Sequence, residues 1–409
     1  MKIKCSLRAW PVLCSLLLVA QVRAGSATWG TSPGSGNWNT ATNWIPATVP
    51  NGASDTASFA ASNVTGVSLS TGVEVNGVAF NPSANAFTIS NQPGVALTIS
   101  GAGVTNSSGV LQNFANQEDA TQSGALYFTN GATAGDSVVY TNLTNPVAVQ
   151  SPLIQFEDNA TAGSALFINL AGAYLGVGGL IEFQGNSTAG SGTFRNTGVN
   201  GFQSFPHINF RDQASAGQGV FTNEVSAGGM LFFYDRATAD HATITNAPAF
   251  ASGTWFYDHS TAGSATIINQ GGEAYTLSGL TYFLDRSSAG NGVFVADGSR
   301  TTYFGYATVD FFDLATADQG TFTANGGQVV GAGGGIIYLN GSSSAANGTF
   351  TANGGLVSGA FGGRVIFSID APTAAAATLI ANGGVGSGEG EAGGIFFQAD
   401  STGGTARVE

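Results

Sequence analysis

The side chains best suited to chemistry are carboxylates that recur in one register. Asp158, Asp212, Asp235, Asp258, Asp285, Asp313 and Asp370 each stand four residues before a recurring alanine or its equivalent. Carboxylates stacked this way can fix turns, bind divalent cations weakly, or supply an acid/base pair to a polysaccharide hydrolase or lyase. Uniform repetition favours the turn, because a catalytic pair breaks a register. Asp212, Asp235, Asp258, Asp285 and Asp313 remain weak candidates for a divalent cation, and the Gly-Gly-x-Gly-x-Asp calcium repeat is absent. The histidines, His207, His241 and His259, are expected on the solvated surface. Asp240-His241 and Asp258-His259 fall at different repeat positions, so they should not meet. Gly331 to Gly335 lacks the Lys-Ser/Thr of a phosphate loop. No catalytic residue and no cofactor is expected.

The element that must carry these residues is a repeat. Its marker positions are Ala134, Ala162, Ala189, Ala216, Ala239, Ala262, Ala289, Ala317, Ala345, Ala374 and Gly403, spaced 23–29 residues apart. An aromatic precedes the marker by six: Phe128, Phe156, Phe183, Phe210, Phe233, Phe256, Phe283, Phe311 and Phe397. An apolar side chain follows it by five: Val139, Phe167, Phe194, Phe221, Ile244, Ile267, Phe294, Phe322, Phe350, Leu379 and Val408. Alternation around both predicts short strands and no helix. One such repeat cannot bury its apolar face alone, so repeats must stack, Phe over Phe. The fold expected is all-β, a right-handed parallel β-helix. Seven or eight residues after the marker comes Asn142, Asn169, Asn196, Asn223, Asn246, Asn269, Asn325, Asn353 or Asn382, with Asp297 once, expected as one hydrogen-bonded ladder. Gly326-Gly327 and Gly354-Gly355 are expected to supply positive φ at that corner.

Residues 1–24 read as a signal peptide: Lys2, Lys4 and Arg8, an apolar run from Val12 to Ala20, then Val22-Arg23-Ala24 for cleavage. The run is too short to span a membrane, and Pro11-Val12-Leu13 before Cys14 is a poor lipoprotein site. Both cysteines lie in this segment, so the remainder has no disulfide or thiolate metal site. The remainder has no lysine, seven arginines and all 24 acidic residues. So acidic a chain is not expected to bind nucleic acid.

Trp29, Trp38 and Trp44 mark residues 25–64 as an N-terminal Trp-rich cap over the open solenoid end. A Trp platform for sugars is the alternative. Residues 65–120 are expected as entry coils, and 121–409 as about eleven repeats, the last stopping within its second strand.

The Trp38 to Phe59 segment, the stretch Ala102-Gly103-Val104-Thr105-Asn106-Ser107-Ser108-Gly109 and the copies of Ser-Thr-Ala-Gly, as at Ser187 and Ser260, resemble bacterial autotransporter-type β-strand-repeat proteins. The resemblance covers nearly all of the chain after the signal. It implies a right-handed β-helix passenger, secreted or held on the bacterial outer surface, structural or adhesin-like, with cell-surface glycans or other surface proteins as partners. That family's C-terminal translocator barrel is not in this sequence, which points to a fragment or a chain without that export module. A polysaccharide-binding or polysaccharide-degrading β-helix is the second expectation, and an outer-membrane barrel a third.

Overall fold

The structure, a computed structural model, describes residues 25–145, 149–172, 177–197, 205–224, 228–249, 252–272, 278–302, 305–386, 388 and 390–409. The expected signal peptide lies outside the described residues. The chain winds into a parallel β-helix with a sixteen-stranded and a fourteen-stranded sheet, each coil from Gly52–Phe59 onward giving one strand to each. Strands of four or five residues dominate, such as Leu180–Phe183 in the first sheet and Thr193–Thr197 in the second. Alternate residues point inward, as the two-residue period requires. The only helical element among the described residues is a 3-10 turn, Ala41–Asn43.

The phenylalanine ladders form the core. In the first sheet Phe183 and Phe210 stack at 4.7 Å with rings 3° apart. In the second, Phe194 and Phe221 stack at 4.6 Å and 8°. The two columns meet edge to face, Phe210 against Phe221 at 5.8 Å and 78°, an arrangement the ring quadrupole favours. Leu339 and Phe367 fill the first-sheet column between Phe311 and Phe397. The expectation fails at Val139, which is half-buried and faces outward. The corner before it carries one extra residue, with Ser137 at φ 54°, so Tyr140 pairs with Phe167 and stacks on it at 5.0 Å. Its hydroxyl donates to the Ala134 carbonyl at 2.7 Å. The last ladder residues are exposed, Phe397 at 42% and Val408 at 68%.

A third, one-residue-wide column joins the sheets. Eleven Thr or Ser residues, from Thr133 to Thr402, bridge in parallel from coil to coil. Each stands immediately before a marker residue. The hydroxyl also closes its own corner: Gly163 N–H donates to Thr161 Oγ1 at 3.1 Å, and Gly217 N–H to Ser215 Oγ at 2.9 Å.

The asparagines form two ladders, not the single one expected. From Asn91 to Asn269 the amides are buried, and each Nδ2 donates to the Oδ1 of the next coil, as Asn169 to Asn196 at 3.1 Å. Asn91 Oδ1, at the N-terminal end, has no donor. At the other end Ala296 occupies the next rung, and the Thr281 hydroxyl accepts from Asn269 at 2.9 Å. One residue further along the strand, Asp297, Asn325, Asn353 and Asn382 make an outer ladder donating in the opposite sense, Asn325 to Asp297 at 2.9 Å.

The Gly-Gly pairs also act differently from expectation, since Gly326, Gly327, Gly354 and Gly355 are absent from the positive-φ positions. A Cβ on Gly326 would collide with the Gly354 carbonyl, and one on Gly327 with that of Ala332. These glycines let successive backbones approach closely.

At the N-terminal end, Trp44–Ile45 runs antiparallel to Ala27–Trp29 and closes the first sheet's edge. The Gly36–Trp38 backbone covers the second: Trp38 N–H donates to the Ser68 carbonyl at 2.9 Å, and Ser68 N–H to that of Gly36 at 2.8 Å. Trp29, Trp38 and Trp44 are buried, and all three rings pack on Phe59. Each indole N–H reaches a carbonyl, those of Val64, Pro50 and Trp38 respectively. This is the expected cap, and it leaves no indole face for a sugar. The parallel stack already starts within 25–64, because Gly52–Phe59 pairs with Val73–Phe80.

Candidate functional site

The aspartate column runs along the corner after each first-sheet strand, and backbone geometry explains it. Asp158, Asp212, Asp235, Asp258, Asp285 and Asp313 all have φ between 53° and 57°. Asn130 takes the same slot at φ 58°, and Gly185 and Gly341 at 65°. These are the residue types that tolerate the left-handed region. Each carboxylate also accepts the N–H of the equivalent residue one coil earlier, as Asp235 to Asp258 Oδ2 at 3.0 Å and Asp285 to Asp313 Oδ2 at 3.1 Å. The structure thus places the five candidate cation ligands in one exposed column and commits one oxygen of each to the corner below. Asp258, Asp285 and Asp313 line an open depression of about 310 Å³ with His259, Arg286 and Leu314. Among the described residues no group of three or more His, Cys, Asp or Glu is placed to hold a metal ion.

His241 Nδ1 lies 2.6 Å from Asp240 Oδ1 of its own corner, and His241 and His259 are exposed. His207 departs from the expected solvated position. It is half-buried, burial lowers its pKa, and its ring packs against Phe232 at 5.6 Å.

His207 opens a feature the sequence reading missed, an aromatic strip on the outer face of the first sheet. Phe232, Trp255 and Tyr282 point outward from successive strands, and Tyr234, Tyr257 and Phe312 follow the inward ladder phenylalanines. Phe232 stacks on Trp255 at 5.0 Å, Tyr234 on Tyr257 at 5.2 Å, and Tyr282 lies 5.8 Å from Phe312. All six are half-buried. The near-parallel pairs turn ring faces along the solenoid axis and ring edges and hydroxyls outward. Arg211 sits 4.5 Å above the Tyr234 ring and pairs with Glu182 at 2.7 Å. The sequence signal was an aromatic on both sides of a ladder Phe, as in Phe232-Phe233-Tyr234 and Trp255-Phe256-Tyr257.

The same strip holds a buried acid. Asp310 stands between Tyr282 and Tyr338 on neighbouring strands, and its Oδ2 accepts from the Thr308 hydroxyl at 2.6 Å. Burial pushes its pKa up to about 7. Glu118, near the first coils, is also raised to about 7 by burial, against the lowering effect of the Asn145 N–H.

Chemically, the outer surface offers repeated acceptors, ring edges and hydroxyls in columns. Among the described residues no helix is long and apolar enough to cross a membrane. Comparison with family models, with curated proteins and with solved structures gives no match.

Proposed function

We propose that this chain is a non-catalytic, structural and adhesin-like β-helix that works outside the cell or on a bacterial outer surface, as an autotransporter-type passenger does. One observation carries the reading: the register repeats from coil to coil, so the Thr/Ser bridge column and the corner aspartates each offer the same chemistry over many coils. Such a surface suits extended contact, whereas catalysis needs unlike groups converging on one bond. The aspartates support this, because each carboxylate ties the corner of the coil before it. The test is retention of bacterial cells on immobilised protein, with Trp255→Ala/Tyr257→Ala as the variant. Retention that drops with this variant supports the reading, and turnover of pectin or alginate by the purified protein refutes it.

The aromatic strip favours polysaccharide binding as a second reading, since its tyrosine hydroxyls and the adjacent carboxylates can bond sugar hydroxyls. Titrating soluble glycans against Trp255 fluorescence tests it, and an unchanged spectrum across the panel removes it.

A further inference from the structure

The outer face of the second sheet has a composition that neither reading explains. Across seven successive strands, from Val220–Asn223 to Thr378–Ala381, fourteen side chains point outward. Nine are Thr, three Val and two Ile. Thr243 and Thr245, Thr321 and Thr323, and Thr349 and Thr351 form complete Thr-x-Thr pairs. None of the fourteen is charged, although the chain carries a net charge of −13. Protein surfaces ordinarily intersperse charged side chains of both signs. Here every outward position is β-branched instead.

The spacing of this face is fixed. Beneath it the inward rings of Phe294, Phe322 and Phe350 stack from coil to coil, and the strands pair residue for residue. The ring centroids are 4.8 Å and 4.6 Å apart, which sets the repeat along the axis. Along each strand, outward residues lie about 6.6 Å apart. β-Branched side chains have restricted χ1, so methyls and hydroxyls are held in a two-dimensional net before anything binds.

We propose that this face binds ice. A partner that matches an uncharged net, periodic in two directions over seven rows, must itself be periodic over that distance. The lattice of crystalline water is, with oxygen repeats of similar size. The methyls cage ordered water between rows, and the hydroxyls anchor it. Because the net is already rigid, little side-chain freedom is lost on contact. Polyanions gain no cation from this face, and among soluble proteins a second copy of this chain is the partner with such a net, an outcome the test below separates.

The test is partition of the purified protein into slowly grown polycrystalline ice, with crystal shaping viewed in a cooled microscope stage. The expected result is enrichment in the ice fraction above a non-binding control protein, with faceted crystals. Thr245→Lys/Thr323→Lys should return both to control level while the circular dichroism spectrum and unfolding midpoint stay those of the parent. Trp255→Ala, on the other sheet, should leave enrichment unchanged, which separates this face from the surface contact proposed above. Exclusion of the parent protein from ice overturns the proposal, as does full enrichment of the lysine variant. So does sedimentation as a dimer that the lysines dissociate, without ice enrichment, since the face then belongs to a second copy.

Discussion

Replacing Phe256 by alanine tests the stacked core directly. Its ring is fully buried. It stacks on Phe233 at 4.8 Å and on Phe283 at 4.7 Å, with interplanar angles of 10° and 6°. Removing a buried Phe costs about 3–5 kcal/mol, and each lost stack adds about 0.5–1.5 kcal/mol beyond area. The cavity cannot close readily, because the strands on both sides are held in register by their own ladders. The expected loss therefore lies at the upper end, about 4–5 kcal/mol. Phe397 provides the contrast: it is 42% exposed and stacks on Phe367 at 4.6 Å. Its removal should cost about 1 kcal/mol. Solenoid coils can open separately, so the assay is hydrogen exchange resolved by coil, supported by denaturant unfolding. Protection should fall in the strands flanking 256 and spread outward from them. A loss below about 1 kcal/mol at Phe256, or equal losses at both sites, refutes the argument that the ladder holds the rod.

Asn196→Leu should cost about 1–3 kcal/mol, because Asn223 Oδ1 stays buried without its donor; Asn382→Leu, on the exposed outer ladder, should stay within about 0.5 kcal/mol in the same urea titration. At Asp258, with φ 55°, glycine should change stability by less than about 1 kcal/mol, while valine should cost about 1–3 kcal/mol because the left-handed region strains a β-branched residue; equal unfolding midpoints for the two variants would show that the corner does not constrain φ. Asp310 titrates from an ordinary 3.8 up to about 7 in the folded chain. Between those values the unfolded chain has released a proton that the folded chain retains, so stability should fall as pH rises through that window. Denaturant midpoints on either side of it should show a smaller fall for Asp310→Asn, and Glu118, also raised to about 7, keeps part of the slope.

Much of this was legible because a solenoid writes its geometry into the period of its sequence. Phe156, Phe183 and Phe210 recur at fixed offsets because each must lie over the last. The aspartate corner was legible for a similar reason: only Asp, Asn or Gly suits that backbone in nearly every coil. Fixed offsets misled where a corner gained a residue, so Val139 was chosen over Tyr140. They also merged two asparagine ladders that differ by one residue and therefore face opposite ways. The Gly-Gly pairs resisted reading because close approach and positive φ call for the same residue. The aromatic strip escaped because outward slots are not held by packing: Gln155, Glu182, Asn209 and Asp310 share the column of Trp255. The threonine face escaped for the opposite reason, since β-branched residues are common in any strand.

The one-way run of buried amides sets a rule for changing the length of the rod. Between Asn142 and Asn246 every coil receives a hydrogen bond from the coil before it and hands one to the coil after. Excising or duplicating a whole winding from this stretch brings together new neighbours that present the same donor and acceptor. The winding that joins Asn269 to Ala296 is not interchangeable in this way. There the inner run ends and the outer one begins in reverse, so among the described residues this is the junction that recombination between windings must preserve.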